Sequence, residues 1–160
     1  MNEPSVDSAA PVSGLACRAA AHLGRTVERA LSDADISPAG YRVLSWLAMG
    51  DAAAAVLADK LAVSRPTVTL VVDGLQARGL VSRTADERDR RRVTISMTAA
   101  GQAALADADA RVSGRLGEVL APLGAQQAAG IVAALELLHG ALKDDRERRH
   151  RRQAAAVAPE

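Results

Sequence analysis

The chain has 160 residues, 49% of them hydrophobic, and a formal net charge of +1 at pH 7. That length and apolar content suit one domain with a sizeable core, the single cysteine excludes a disulfide framework, and the near-neutral charge restricts nucleic-acid binding to a local basic patch. No secretory signal is recognisable and no apolar run approaches the roughly 20 residues that span a bilayer, so we expect a cytoplasmic protein without membrane contact.

The two ends of the chain are small, polar and charged, and the region between them reads as one folding unit. We expect residues 1–12 and 146–160 to be disordered tails and residues 13–145 to form a single domain. Apolar residues four positions apart predict a first helix over residues 13–32. The residues of this stripe are Leu15, Ala19, Leu23, Val27 and Leu31.

Three further helices follow, and two of them begin with the same signal. Ser37 and Ser64 are N-cap candidates that each stand shortly before a proline at the helix start. They predict helices that end before Gly50 and Gly79, with another helix over residues 52–61 between them. The helix that begins at Ser64 has apolar residues spaced i, i+3, i+4 and i+7, which predicts a core-facing side. These residues are Val68, Val71, Val72 and Leu75.

The other side of this fourth helix is mostly polar. Its first turn combines hydroxyl and guanidinium groups with free backbone N–H groups, which suits contact with phosphates and with base edges in a major groove. The candidate DNA-binding residues here are Ser64, Arg65, Pro66, Thr67, Thr69 and Leu70. A helix pair with a merely solvated face would produce the same pattern, so that alternative stays open.

After the fourth helix the period changes to two, which predicts short strands over residues 80–83 and 93–97, anchored through Val81, Val93 and Ile95. The connecting segment 86–92 holds four arginines and no glycine, unlike an ordinary hairpin loop. Long guanidinium groups at a hairpin tip suit a narrow minor groove, and neighbouring acids can hold them in a defined pose. The candidate DNA-binding residues here are Arg88, Asp89, Arg90 and Arg91. The alternative is a surface ion-pair cluster.

Two more helices complete the chain. Thr98 is the predicted cap of a long helix to about Leu120, and Pro122 and Gly124 mark a break before a last helix over residues 126–142. In this last helix the apolar residues recur at alternating threes and fours, which is typical of a helix packed on another helix. They are Ala128, Ile131, Val132, Leu135, Leu138 and Leu142.

Together these elements predict a mainly α fold: a winged helix-turn-helix over about residues 37–98, with a two-stranded β wing. The segment SRPTVTLVVDGLQARGLV, and the wing DERDRRRVTISMT followed by AAG, resemble the MarR family of bacterial transcription regulators. The wing matches the D-x-R-D-x-R pattern of that family at Asp86, Arg88, Asp89 and Arg91.

The resemblance implies a homodimer in which the helices over about 13–32 and 99–143 interlock. It also implies that the dimer binds a pseudo-palindromic operator in double-stranded DNA, commonly as a repressor. One position departs from many relatives, which have an arginine where this chain has Leu70. A leucine there loses polar contacts but suits a thymine methyl group.

Two sensor hypotheses also follow from the resemblance. Tyr41, Arg42 and Trp46 are candidates to line a pocket for a phenolic or drug-like effector, as in phenolate-responsive relatives; the alternative makes Tyr41 and Trp46 core residues. Cys17 stands roughly where peroxide-sensing relatives have a reactive cysteine. Those relatives have tyrosines near the thiol, however, and this chain has only Tyr41. The alternative for Cys17 is a small core residue.

The leading hypothesis is therefore a dimeric, sequence-specific DNA-binding regulator, a repressor released by a small-molecule ligand. A winged-helix module that binds protein and not DNA is the first alternative, although it gives no reason for an arginine-rich wing. A cysteine-based redox regulator is the second. The sequence offers no nucleophile, base and orienting group in combination and no glycine-rich phosphate loop, so we predict no enzyme, no metal site and no cofactor.

Overall fold

A computed structural model describes residues 12–32, 34–85 and 93–157 of the chain. Its elements are α1 Gly14–Ala30, α2 Pro38–Leu47, β1 Ala52–Ala53, α3 Ala54–Leu61, α4 Arg65–Ala77, β2 Val81–Ala85, β3 Val93–Met97, α5 Ala99–Leu120, a 3-10 turn Ala121–Leu123 and α6 Ala125–Val157. This mainly α architecture with a small antiparallel sheet confirms the predicted fold class. None of the helices in these described ranges is long and apolar enough to cross a membrane.

Hydroxyl side chains fix the starts of four helices. Ser13, Ser37, Ser64 and Thr98 each accept a hydrogen bond from the backbone N–H three residues further on. Each bond satisfies one of the donors that a helix N-terminus leaves unpaired, which is worth about 1 kcal/mol. The predicted caps at Ser37, Ser64 and Thr98 are therefore confirmed.

The sheet has one strand more than predicted. Its order is β1-β3-β2, and Ala52 and Ala53 of β1 pair with Ile95 and Thr94 of β3. The prediction of a helix over all of residues 52–61 is wrong at its first two residues, whereas the predicted pairing of the two wing strands is confirmed and β1 is added beside β3. Alanine favours helices and is depleted in strands, so only pairing with a strand more than forty residues away defines β1.

The core lies between α2, α3, α4 and the sheet, and the end of α1 and part of α5 close it. Its most deeply buried large side chains are all aliphatic: Leu31, Val43, Leu44, Leu57, Val68, Val72 and Ile95. Val93 was a predicted anchor of the sheet, but it is 38% exposed. It pairs with Ala85 at the end of the ladder, next to the segment 86–92.

The core buries one face of α4, through Val68, Val72 and Leu75, and leaves the opposite face of this helix exposed.

The last helix is longer than predicted. The sequence predicts that this helix ends at about Leu142 and that residues 146–160 are a disordered tail. In the structure α6 continues to Val157. Residues 143–157 contain no glycine or proline and are rich in arginine and alanine, both good helix formers. Asp145 and Arg148 also form an i,i+3 ion pair at 3.8 Å. The predicted N-terminal tail, apart from residue 12, and residues 158–160 lie outside the described residues.

Candidate nucleic-acid interface

Helices α3 and α4 form a helix-turn-helix whose short turn is held by backbone hydrogen bonds. Ala62, which follows α3, has a left-handed backbone with φ of 54°, and the N–H of Val63 donates to the carbonyl oxygen of Ala58 at 3.0 Å. The chain then reaches Ser64, which caps α4. The first turn of α4 is therefore presented at the surface in a fixed orientation.

The predicted DNA-binding residues of α4 share one exposed side of the helix. All six are exposed: Ser64, Arg65, Pro66, Thr67, Thr69 and Leu70. On the opposite side Val68, Val72 and Leu75 are buried and Val71 is half-buried, which confirms the predicted core-facing positions. The structure thus brings the six residues together on the free face, and their contact with DNA stays a prediction.

Hydrogen bonds within α4 determine which of these polar groups are free to bind. The hydroxyl groups of Ser64 and Thr67 lie 2.7 Å apart and bond to each other, and Thr69 donates its hydroxyl proton to the carbonyl oxygen of Arg65 at 3.0 Å. The guanidinium group of Arg65 has no ion-pair partner within the described part of the chain. It is therefore the free cation of the first turn, suited to a phosphate or to the acceptors of guanine.

Arg83 of β2 connects the strand to α4. Its Nη1 atom lies 2.5 Å from Oδ1 of Asp73 and donates to Oε1 of Gln76 at 2.8 Å. We call these three residues the α4–β2 bridge. An exposed ion pair adds at most about 1 kcal/mol of stability, but this one orients the sheet against α4 and neutralises a carboxylate on the outward face.

The α4–β2 bridge was not predicted from the sequence. Asp73 and Gln76 are three residues apart and so share a side of α4, which was a usable signal. Their partner Arg83 lies beyond the helix end and reaches them only because β2 runs back beside α4. Helical periodicity gives no distance between a helix and the strand that follows it.

The wing strands are paired along their whole described length. Val81 pairs with Met97 at one end of the ladder, and Ala85 pairs with Val93 at the other. The predicted tip residues, Arg88, Asp89, Arg90 and Arg91, belong to the segment 86–92 that joins these two ends, and they lie outside the described residues. Their contact with a minor groove stays a prediction.

A tight joint connects the sheet to α5. The Thr98 hydroxyl donates to the carbonyl oxygen of Gly79 at 2.7 Å, and the Thr98 N–H donates to the carbonyl oxygen of Leu80 at 3.1 Å. Gly101 is buried directly against Leu80, because a Cβ atom added there would overlap the Leu80 carbonyl oxygen. This joint sets the direction in which α5 leaves the winged helix-turn-helix.

The three candidate effector residues contact different neighbours among the described residues. The Tyr41 hydroxyl donates to Oδ1 of Asp109 on α5 at 2.6 Å, whereas Trp46 lies under Nζ of Lys60 on α3, 5.6 Å from the ring centroid. Arg42, but neither Tyr41 nor Trp46, lines the cavity of about 30 Å³ between α2, α3 and α4. That volume holds roughly one water molecule, far less than the several hundred Å³ of a typical ligand pocket.

The pKa of Tyr41 depends on the contact between α2 and α5. Burial, and then the hydrogen bond and charge of Asp109, raise the pKa of Tyr41 from 10.0 to about 12. Because the folded-state pKa is the higher one, the contribution of this group to stability is complete below pH 10 and is lost as the pH rises through about 12.

We therefore expect the absorbance of this single tyrosine at its phenolate band to titrate near pH 12 in the folded protein. Asp109→Asn should lower the midpoint without returning it to 10.0, since burial is the larger cause. Circular dichroism at each pH verifies that the protein is folded. A midpoint near 10 in folded wild type would contradict the Tyr41–Asp109 contact.

Cys17 is exposed on α1, so the interpretation as a small core residue is wrong for the single chain. Its helix neighbours are exposed as well, and the first half of α1 contributes nothing to the core. Among the described residues no group of three or more histidine, cysteine, aspartate or glutamate side chains could hold a metal ion. The thiol is accessible, and its redox role stays untested.

The apolar residues predicted along the last helix, from Ala128 to Leu142, form a stripe on α6 that we call the α6 seam, and most of it is exposed. Ile131, Val132, Leu138 and Leu142 are 37%, 44%, 50% and 48% exposed. Within its own chain, α6 packs mainly on the 3-10 turn before it. A helix of 33 residues with an exposed apolar seam requires another protein surface to cover that seam. Most helical stability in proteins comes from packing of the apolar face.

Comparison with known proteins agrees on one family. Residues 34–92 match the MarR family. The wild-type apo MarR structure from E. coli is 24% identical with a TM-score of 0.70, and the match covers 81% of this chain and 96% of that one. A MarR-family transcriptional regulator from Rhodococcus sp. RHA1 is 25% identical with a TM-score of 0.63, covering 78% and 89%. CouR from Rhodococcus jostii RHA1, solved with p-coumaroyl-CoA, is 25% identical with a TM-score of 0.59, covering 78% and 88%. Among curated proteins, none matches this chain.

Proposed function

We propose that this chain, whose residues 34–92 match the MarR family and whose fold is shared by a MarR-family transcriptional regulator, is a homodimeric repressor that binds a pseudo-palindromic operator and is released by a small-molecule effector. One observation carries the proposal. The free face of α4, where Arg65 has no ion-pair partner among the described residues, is held to the wing by the α4–β2 bridge. Such a repressor acts in the cytoplasm, where the DNA is.

Helix α4 is the element that enters the major groove. Its core-facing side is fixed by Val68, Val72 and Leu75, so the helix projects as a rigid unit. The first turn offers Arg65 and Thr67 beside backbone N–H groups, which together suit phosphates and base edges. In this proposal Arg65 and Thr67 contact bases or phosphates at the start of the groove contact.

The wing supplies the second contact. The strands β2 and β3 lead from the core to the arginine-rich segment 86–92, and the α4–β2 bridge fixes the angle between these strands and α4. We assign Arg88, Arg90 and Arg91 to the adjacent minor groove, where negative potential favours guanidinium groups. A module that binds only protein would have no use for this concentration of positive charge.

The second copy of the chain covers the α6 seam. The apolar side chains of this seam are exposed in one chain, and a two-fold dimer pairs identical surfaces, so that one seam buries the other. Dimerisation also explains why the first half of α1 contributes nothing to the core of its own chain. Two α4 helices held by one dimer then present themselves to successive half-sites.

Effector release is the third part of the proposal. CouR, which shares this fold, is solved with p-coumaroyl-CoA. In this chain the hydrogen bond between Tyr41 and Asp109 joins α2 of the DNA-binding unit to α5. An aromatic effector that takes the place of this contact changes the angle between the two α4 helices and lowers operator affinity. The existing cavity beside Arg42 is too small for it, so binding requires the space to open.

The spacing of the half-sites tests the dimer on DNA. An operator is first selected from random DNA with the full-length protein, and five base pairs are then inserted between its half-sites. Because half a helical turn of about 10 base pairs places the half-sites on opposite faces of the duplex, we expect affinity to fall to the level of random DNA. An insertion of about ten base pairs changes the distance but keeps the face, and serves as the comparison. Unchanged affinity after the five-base-pair insertion would contradict a rigid dimer on a palindrome.

A further inference from the structure

An apolar side chain stands at the outermost point of the DNA-facing helix. Leu70 is 73% exposed and is the most exposed large apolar residue of the described winged helix-turn-helix. The other large apolar side chains of comparable exposure are Val12, Leu15 and Leu137, which lie in the terminal segments of the chain. Leu70 lies outside those segments, and the second copy of the chain that covers the α6 seam does not explain its exposure.

The position of Leu70 follows from helix geometry. At about 100° per residue, Leu70 lies roughly 160° around α4 from the centre of the buried side formed by Val68, Val72 and Leu75. It therefore points directly away from the core. Its neighbours one turn before and after are Thr67 and Gly74.

Gly74 leaves a flat surface beside this leucine. A glycine inside an exposed helix costs about 1 kcal/mol of stability relative to alanine. No neighbour in the described part of the chain requires it, since a Cβ atom at Gly74 would meet nothing there within 4 Å. What the missing side chain provides is room for an external body to approach the helix backbone next to Leu70.

The charge beside Leu70 also permits the approach of DNA. Asp73 would repel phosphates and the acceptor atoms of bases, but its carboxylate is paired with Arg83 in the α4–β2 bridge. Thr69 has its hydroxyl proton committed to the backbone. The middle of the exposed face of α4 is thus the apolar side chain of Leu70, and the polar groups beside it are already paired. This arrangement suits an apolar partner.

Among the four bases only thymine presents such an apolar partner in the major groove, namely its C5 methyl group. We propose that Leu70 is a specificity-determining residue that contacts the C5 methyl group of a thymine in each operator half-site. This inference rests on the proposed function, since it requires that α4 enters a major groove. Gly74 allows the backbone to come close enough for the contact.

The test exchanges only the methyl group. After an operator has been selected from random DNA with the full-length protein, each thymine of a half-site is replaced by deoxyuridine, and the same change is made in the symmetry-related half. Burial of one methyl-sized group is worth about 0.8 kcal/mol, or about fourfold in affinity. We expect wild type to lose about fourfold per half-site at one thymine, and Leu70→Ala to bind the thymine and uracil forms of that site equally.

Leu137→Ala is the matched control, since Leu137 is 76% exposed and belongs to α6, outside the helix-turn-helix. It should keep the wild-type preference for thymine. Gly74→Ala should weaken binding of the selected operator while the protein stays folded.

Wild type that is indifferent to every thymine-to-uracil change, or Leu70→Ala that keeps the wild-type preference, would overturn the inference while the repressor proposal stands. If selection enriches no sequence at all, the proposed function itself fails, and the inference with it.

Discussion

Replacing Gly101 with alanine is expected to lower the free energy of unfolding by about 2 kcal/mol or more, because the new methyl group has no space. A Cβ atom at this position would overlap the carbonyl oxygen of Leu80 and would lie 2.8 Å from Cγ of Met97. That carbonyl group already accepts the hydrogen bond from the Thr98 N–H. The neighbour is backbone and cannot rotate away, so the joint between the sheet and α5 must shift.

Thermal unfolding at a single protein concentration measures this effect, and a loss of about 2 kcal/mol corresponds to a fall of roughly 4–8 °C in Tm for a chain of this size. Gly74→Ala is the matched control, since it places the same methyl group inside a helix but in open space. It should raise the stability by about 0.5–1 kcal/mol, because alanine favours the helix more than glycine does. If Gly101→Ala is as stable as wild type, α5 does not pack against Leu80 as described.

Helix starts and the core-facing side of α4 were predictable from the sequence because their causes are local. A serine or threonine accepts a hydrogen bond from a backbone N–H three residues further on, and apolar spacing specifies which side of a helix is buried. Ser37, Ser64 and Thr98 illustrate the first cause, and Val68 and Val72 the second. The wing strands were also found, since their period of two is local.

Features that depend on contacts between distant segments were not predictable in this way. Strand β1 consists of two alanines and exists only through its pairing with Ile95 and Thr94. In the candidate site, the six residues of α4 were identified from a helical repeat, whereas Arg83 was missed because its partners lie on another element. Tyr41, Arg42 and Trp46 were grouped through the resemblance to phenolate-responsive relatives, whereas their side chains extend from α2 toward different neighbours.

Substitution of Leu138 by aspartate is expected to divide the proposed dimer into folded monomers that no longer bind operator DNA. Leu138 is 50% exposed in the single chain, so a carboxylate there costs little while the chain is alone. In the dimer the same carboxylate would be buried without a partner, at about 3 kcal/mol or more for each copy. Two copies meet across a two-fold interface, so the dimer dissociation constant should rise by roughly 10⁴.

Leu137→Asp is the control variant for this prediction. Leu137 is adjacent in sequence and 76% exposed, but it lies roughly 150° around α6 from the middle of the seam. The same charge placed there should leave the protein dimeric and able to bind DNA. Light scattering gives the mass of each variant, circular dichroism its helix content, and titration of the selected operator its affinity. A dimeric Leu138→Asp, or a wild type that is a folded monomer at micromolar concentration, would exclude the α6 seam as the contact between copies. Loss of the dimer in both variants would instead place the interface around the whole circumference of α6.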